Sequence, residues 1–210
     1  KKPDYLMPSQ VEELTATIRE HGENTVDAVG RSPDVQWIID AILITICTGL
    51  RRGELFNLQW SDVDLKLGTL FVRNREGGEE GEDFTSKSGH EKAVPVRGYA
   101  MKVLNRLIDE GKRARTTYVL TNRDDDPIKP NTFTHRFKFF VRKADLDNQE
   151  RLSVHSLRDT AATWLAMKGT RHRDIQEFLG HSSGTVTEKY LHAHPEHLAQ
   201  AAEDTFGSLV

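Results

Sequence analysis

Apolar residues recur every three or four positions along most of this 210-residue chain, which is the spacing of a helix with one buried face. Apolar side chains crowd two short stretches, 69–73 and 92–96, in the manner of strands. The pattern predicts a mainly α-helical α+β fold carrying a small antiparallel β-sheet of about three strands. The helical stripes are Val11 to Ile18, Val35 to Ile46, Met101 to Ile108, Phe133 to Val141, Leu157 to Leu165 and Ile175 to Leu179.

Polar residues suggest where the first helices begin and end. The second helix is expected to start at Ser32-Pro33-Asp34 and to stop at Gly49, and Trp60 to Asp64 to form a loop. If 50–58 is helical, Arg51 points inward, with Glu54 three residues on as a hydrogen-bond acceptor. An inward cation needs a partner, and the sequence leaves two open: a structural carboxylate such as Glu54, or a ligand anion.

Gly180 is expected to cap the helix that carries Ile175, Phe178 and Leu179. His181 then leaves the helix end instead of entering the core. Tyr190 follows nine residues later on a second short helical run. Further on, residues 192–210 form a tail whose stretch 197–206 is predicted to be helical.

Two further groups of side chains could bind anions. His155 and Arg158 lie one turn apart near a predicted helix N-terminus, where free N–H groups and the macrodipole favour negative charge. They could equally pack against their neighbours. The predicted helix from Asn131 to Lys143 exposes four basic side chains that are either solvated or in contact with DNA phosphates: Arg136, Lys138, Arg142 and Lys143.

Composition limits the classes of protein that fit. No apolar run approaches the ~20 residues of a membrane span, and the single Cys47 excludes an intrachain disulfide framework and favours a cytosolic setting. The net charge of −3 argues against a nucleic-acid partner. Its distribution weakens that argument, since residues 1–84 hold 9 basic and 16 acidic side chains while residues 85–210 hold 20 and 16.

Five motifs, taken in order, resemble the catalytic domain of tyrosine recombinases, the phage integrase family. They are Thr48-Gly49-Leu50-Arg51-Arg52-Gly53-Glu54-Leu55, Lys87 ahead of Val94-Pro95-Val96, His155-Ser156-Leu157-Arg158, Leu179-Gly180-His181, and Tyr190. The resemblance runs from about Pro8 to Tyr190. It implies that Arg51, Lys87, His155, Arg158, His181 and Tyr190 hold the six catalytic positions. A long acidic insertion precedes Lys87, so Lys92 remains the alternative lysine.

The resemblance also implies a chemistry. Arg51 and Arg158 clamp the phosphate of a DNA strand while Tyr190 attacks the phosphorus to form a 3′-phosphotyrosyl link. His155 is the candidate base, Lys87 the candidate acid, and His181 hydrogen-bonds the phosphate. Neither ATP, metal nor any other cofactor is expected. The histidines of His192-Ala193-His194-Pro195-Glu196-His197 make a poor metal site because Pro195 breaks their geometry.

The implied partners and setting follow from the same family. We expect residues 1–210 to be a catalytic domain separated from an N-terminal DNA-binding domain, since the chain begins at Lys1. Expected partners are double-stranded DNA recombination sites and further copies of the protein, as a tetramer on DNA, without a membrane. The location would be the bacterial cytoplasm, and the activity that of phages and other mobile elements. The tail helix packs on its own domain or on a neighbouring protomer.

Two other functions stay open at this stage. A type IB topoisomerase uses the same nucleophile and phosphate clamp but only relaxes supercoils. A DNA-binding regulator could keep the fold without catalysis, which the acidic balance favours and the six filled positions oppose.

Overall fold

The computed structural model describes residues 4–26, 30–75, 91–180 and 196–207. As predicted, the fold is mainly helical with a small antiparallel sheet. The elements are α1 Pro8–Asn24, α2 Gln36–Thr48, α3 Arg52–Phe56, β1 Val63–Asp64, β2 Thr69–Val72, β3 Lys92–Pro95, α4 Gly98–Asp109, α5 Lys112–Arg115, α6 Pro130–Lys143, α7 Val154–Met167, α8 His172–Leu179 and α9 Glu196–Phe206.

Helix α2 is the centre of the core. It is apolar almost all round, as expected of a helix with no solvent-facing side, and it contacts α1, α4, α6 and α7. Ile38, Ile42 and Ile46 are at most 1% exposed. The helix ends where predicted, at Gly49, which takes the left-handed conformation (φ +62°). This sharp end turns the chain toward Arg51.

The three strands form one antiparallel sheet in the order β1-β2-β3. Leu70 of β2 lies opposite Val63 on one side and Val94 on the other. The prediction that Trp60 to Asp64 form a loop is therefore wrong. That stretch contains a 3₁₀ turn followed by β1, and the buried Asp62 carboxylate fixes the turn by accepting the N–H of Gln59 at 2.9 Å.

Helix α2 begins at Gln36, two residues after the predicted start at Ser32-Pro33-Asp34. The residues before it are tied elsewhere. The Asp34 carboxylate accepts the backbone N–H of Arg123 at 2.6 Å, and the Arg123 guanidinium donates to Ser32 O at 3.1 Å. A side chain held by a distant turn cannot cap the helix that follows it.

The predicted helix over residues 50–58 is also shorter than expected. Helix α3 covers only Arg52–Phe56, and Arg51 precedes it in extended conformation (φ −69°, ψ 154°). Arg51 therefore shares no helical face with Leu55 and Leu58. It turns inward because of the bend after Gly49, and its predicted contact with Glu54 is present.

Helix α9 packs on its own domain, against α4, α7 and β3. The Phe206 ring stacks on that of Phe178 in α8, with centroids 6.3 Å apart. A Cβ on Gly98 would lie 1.9 Å from Phe206 O, so only glycine permits this close approach. Of the helices that the structure describes, none has the length and apolarity needed to span a bilayer.

Candidate active site

A cleft of about 500 Å³ opens where the α2–α3 connection, α6 and the start of α7 meet. Three of the six predicted catalytic residues line it together: Arg51, His155 and Arg158. The other three, Lys87, His181 and Tyr190, lie outside the described residues. The remaining lining residues are Leu50, Arg52, Gly53, Glu54, Thr134, Ser153 and Val154.

Arg158 is the most buried cation of the cleft, with 3% of its surface exposed. Its Nη1 donates to Gly49 O and its Nη2 donates to Leu179 O at 2.6 Å. Burial, and secondly repulsion from Arg51, lower the pKa of Arg158 to about 10. The guanidinium therefore stays charged at neutral pH, and two backbone carbonyls fix its orientation.

Arg51 is tied to Glu54 at two points. The Arg51 backbone N–H donates to Glu54 Oε2 at 2.8 Å, and its Nη1 donates to Oε1 at 2.9 Å. The Arg51 side chain is 23% exposed, whereas that of Glu54 is 2% exposed. The buried carboxylate thus caps the first turn of α3 and steadies a guanidinium that still faces the cleft.

Lys92, at the start of β3, also reaches this site. Its Nζ lies 2.9 Å from Glu54 Oε2 and donates to Leu179 O at 3.3 Å. Burial lowers the pKa of Lys92 to about 8, against the opposing attraction of Glu54. Burial alone would raise the pKa of Glu54, but Lys92 and Arg51 outweigh that effect, and this pKa lies below its usual value.

Arg51 and Lys92 both contact the Glu54 carboxylate, and its charge also raises the pKa of Arg158 against the larger effects of burial and Arg51. Such a cluster keeps a positive excess in a poorly solvated place, which favours an anionic ligand. Sequence reasoning identified Glu54 only as a possible structural partner of Arg51 and missed its contact with Lys92. The alternation of β3 could have suggested an inward Lys92, but its partner lies 38 positions away.

His155 stands at the mouth of the cleft. It lies in the first turn of α7, its side chain is 73% exposed, and its Nε2 is 3.7 Å from Asp159 Oδ1. The same helix start presents Ser153, whose backbone N–H donates to Ser156 Oγ at 3.1 Å. The predicted proximity of His155 and Arg158 is confirmed, with one residue at the surface and the other buried beneath it.

Helix α6 forms the opposite rim. Arg52 Nη1 donates to Asn131 Oδ1 at 3.1 Å and to Thr134 Oγ1 at 2.7 Å. The next turns of α6 carry Lys138 and Arg142, which line a second, shallow concavity with His135, Phe139 and Lys143. The four basic residues predicted on this helix, Arg136, Lys138, Arg142 and Lys143, are all exposed.

No cluster of three or more potential metal ligands occurs within the described ranges. Most of the histidine-rich stretch from His192 to His197 lies outside them.

Comparisons with known proteins concern the family and the fold. The model of the phage integrase family matches residues 4–197. Tyrosine recombinase XerD of Vibrio vulnificus (strain YJ016) is 32% identical over an alignment of 192 residues, and the match covers 85% of this chain and 57% of that protein. The chain thus spans little more than half the length of this relative.

Solved structures show the same fold. The crystal structure of XerA recombinase superposes with a TM-score of 0.62 at 24% identity, covering 97% of this chain and 66% of that one. A lambda integrase tetramer bound to a Holliday junction gives a TM-score of 0.61 at 22% identity, covering 86% and 47%. Together with the family match over residues 4–197, these similarities lead to one conclusion: the chain belongs to the phage integrase family of tyrosine recombinases.

Proposed function

We propose that this chain is the catalytic part of a site-specific DNA recombinase that cuts and rejoins strands through a 3′-phosphotyrosyl intermediate. The observation that carries the proposal is the pair of guanidiniums in one cleft. Arg51 and Arg158 are each fixed by protein acceptors, and Arg158 is charged although buried. A preorganised positive site of this kind stabilises a phosphoryl group that gains charge in its transition state.

The nucleophile and the proton carriers have separate roles in this proposal. Tyr190 attacks the phosphorus and displaces the 5′-oxygen, so the bond energy is stored in the phosphotyrosine and no ATP is needed. A phenol with an ordinary pKa of ~10 must lose its proton, and His155 at the cleft mouth is the proposed base. His181 would donate a hydrogen bond to a non-bridging oxygen. None of these steps requires a metal or another cofactor.

Lys87 is the proposed general acid for the 5′-oxygen, in preference to Lys92. The surroundings of Lys92 support this choice. Its ammonium is buried, and Glu54 and Leu179 O occupy two of its three donors. An acid that must reach a leaving oxygen in the cleft would have to break both contacts.

The proposed DNA partner lies across the cleft and along α6. Residues three or four apart on a helix are neighbours, so Thr134 at the cleft rim is followed along one side of α6 by Lys138 and Arg142. We assign these two to phosphate contacts. Lys143 lines the same shallow concavity as these two but is the last residue of α6, and Arg136 lies further round the helix and does not line it. We expect weaker contacts from both.

Assembly is proposed from the same comparison. The lambda integrase structure is a tetramer on a Holliday junction, and we propose that the whole protein likewise assembles as a tetramer on its double-stranded recombination site. Its place of action would then be the bacterial cytoplasm, on DNA.

A suicide substrate tests the proposed function. The full-length protein is incubated with a nicked duplex bearing its attachment site, which is first enriched from random duplex DNA by binding. A covalent protein–DNA adduct is expected with wild type and none with Tyr190→Phe. An adduct with Tyr190→Phe would mean that another residue is the nucleophile.

The same assay separates the alternatives. A catalytically silent regulator would bind the duplex without forming an adduct. A topoisomerase of type IB would relax a supercoiled plasmid yet fail to exchange strands between two sites. Strand exchange by wild type is the outcome expected here.

A further inference from the structure

One polar network joins the chain segments that build the cleft. It runs from Arg51 to Glu54, from Glu54 to Lys92, and from Lys92 to the carbonyl oxygen of Leu179. Arg158 donates to that same oxygen at 2.6 Å. The network therefore connects the start of α3, strand β3, helix α7 and the last residue of α8.

The last four carbonyls of a helix have no hydrogen-bond donor inside the helix, and Leu179 O is one of them in α8. In this protein it accepts hydrogen bonds from two cationic side chains. The chain turns immediately afterwards at Gly180, whose φ is +71°. Two donors on one carbonyl fix the end of α8, after which the sequence continues to His181 and Tyr190.

The aliphatic stem of Lys92 adds a steric constraint at the same point. A Cβ built on Gly180 would lie 2.5 Å from Lys92 Cδ. The stem thus covers the turn while the ammonium holds the carbonyl before it. Because Lys92 is 7% exposed, solvent cannot replace either contact without opening the fold.

We propose that Lys92 is a positioning residue for the reaction, acting with Glu54. Its ammonium holds the end of α8, and it holds the Glu54 carboxylate that orients Arg51. Through these contacts it places the segment that carries His181 and Tyr190 relative to the two arginines. It touches neither the phosphate nor the leaving oxygen. This inference rests on the proposed function and assigns a role to a residue outside the six predicted positions.

A substrate with sulfur in place of the 5′-bridging oxygen separates positioning from acid catalysis. Its leaving group is a thiolate, whose conjugate acid has a pKa of ~8.5, so it departs without a proton donor. A variant that lacks the acid recovers on this substrate. A variant whose reacting groups are misplaced stays slow, because attack itself is impaired.

The experiment compares Lys92→Met with wild type in single-turnover cleavage by the full-length protein at saturating DNA. We expect about a 100-fold slower rate on both the oxygen and the sulfur substrate, an unchanged Kd for the duplex, and substantial rescue by Lys92→Arg. The rates are measured where circular dichroism shows each variant to be fully folded, so lost stability alone does not lower them. Lys87→Met is expected to be slow on oxygen and to recover on sulfur.

Lys112→Met is the matched control. Lys112 is also a poorly exposed lysine, paired with Asp125 and donating to Asn122 O at 2.9 Å. Neither of these partners lines the cleft, whereas Glu54, the partner of Lys92, does. The cleavage rate of Lys112→Met should equal that of wild type. If Lys92→Met does not fold, Glu54→Gln decides instead, because it keeps the lysine while removing the charge that holds it. We expect it to be slow on both substrates.

The other outcomes contradict either the positioning role of Lys92 or the proposed function. Recovery of Lys92→Met on the sulfur substrate would make Lys92 the acid, and a wild-type rate in Lys92→Met, or in Glu54→Gln, would remove the positioning role. In both cases wild type still forms its adduct and the proposed function stands. If wild type itself forms no adduct, the proposed function fails and this inference with it.

Discussion

Arg158 and Lys92 donate hydrogen bonds to the same backbone oxygen, that of Leu179, at 2.6 and 3.3 Å. One of these side chains comes from α7 and the other from β3. Two buried cations would normally repel each other, and the arrangement is stable because Glu54 lies against Lys92 and attracts Arg158 as well. The geometry of this one carbonyl therefore depends on residues from three separate parts of the sequence.

Replacement of Arg158 by lysine should cost both stability and activity. Lysine lacks the two-nitrogen fork with which Arg158 donates to Gly49 O and Leu179 O. Leu179 O keeps Lys92 as a donor, but Gly49 O loses the Arg158 hydrogen bond, and a buried carbonyl left without a donor costs about 1–3 kcal/mol. We expect urea denaturation to show a loss of that size. Single-turnover cleavage should fall about 100- to 1,000-fold, as when one transition-state donor is removed.

Arg171→Lys provides the control for that change. Arg171 pairs with Asp174 at 2.7 Å, but its side chain is 75% exposed. Exposed pairs contribute little, so stability and cleavage should both stay at wild-type values. A comparable loss in both variants would show that the clamp geometry is not the cause.

The stability of the protein should depend on pH through Lys92. Burial lowers the folded pKa of Lys92 to about 8, below the ordinary lysine value of 10.5 that represents the unfolded chain. Between these values the unfolded state binds more protons than the folded state, so the free energy of unfolding rises with pH. Relative to Lys92→Met, wild type should gain stability as the pH rises from about 8 to about 10, by a few kcal/mol at most.

Denaturation of both proteins across that range measures the effect, because other titrating groups cancel in the difference. A difference that stays flat with pH would mean that Lys92 keeps an ordinary pKa in the folded state. A difference that falls would mean that its ion pair with Glu54 outweighs its burial.

Substitution of Gly180 tests how tightly the end of α8 is held. Alanine at φ +71° costs about 1–2 kcal/mol, and its Cβ would lie 2.5 Å from Lys92 Cδ. Gly169→Ala is the matched control, since Gly169 has a φ of +83° but no atom within 4 Å of an added Cβ. Thermal unfolding should show a larger loss for Gly180→Ala, accompanied by slow cleavage that Gly169→Ala lacks. Equal losses of stability in the two variants would show that the Lys92 side chain moves aside without cost.

The division of basic residues on α6 can be measured by salt dependence. The binding constant falls as salt rises, and each phosphate contact that is lost makes the plot of log K against log salt less steep by about 1. We expect this for Lys138→Ala and for Arg142→Ala, with affinity lowered alike for specific and random duplexes. Arg136→Ala should change the slope less, because Arg136 does not line the concavity that holds Lys138 and Arg142. The opposite ranking would place the DNA across the α1 side.

Local patterns predicted the parts of the site that depend on nearby residues. The contact between Arg51 and Glu54 spans three positions, and the cap at Gly180 ends a regular apolar stripe. Both were therefore visible in the sequence. The helical interpretation of Arg51 was wrong because apolar spacing cannot reveal a chain that bends after Gly49 and places Arg51 before the helix instead of inside it.

Contacts between residues far apart in the sequence could not be predicted, because local spacing carries no information about them. Nothing near Lys92 in the sequence indicates Leu179 O, 87 positions away, as its acceptor. Strand β1 has only two residues, too few for an alternating pattern, and it is held in place by pairing with β2. Such features arise from tertiary packing, which a single sequence does not encode locally.

The long separations within the cleft also bear on the order of events during synthesis. Arg158 binds Gly49 O across 109 positions, and the carbonyl it shares with Lys92 comes 21 positions later still. Contacts across such long separations form slowly, because closing a long loop costs chain entropy. A nascent chain that ends before Leu179 carries Arg51 and Glu54 without the contacts that complete the clamp. The cleft described here thus takes its final form only after α8 has left the ribosome, because Leu179 O supplies one of the two acceptors that orient Arg158.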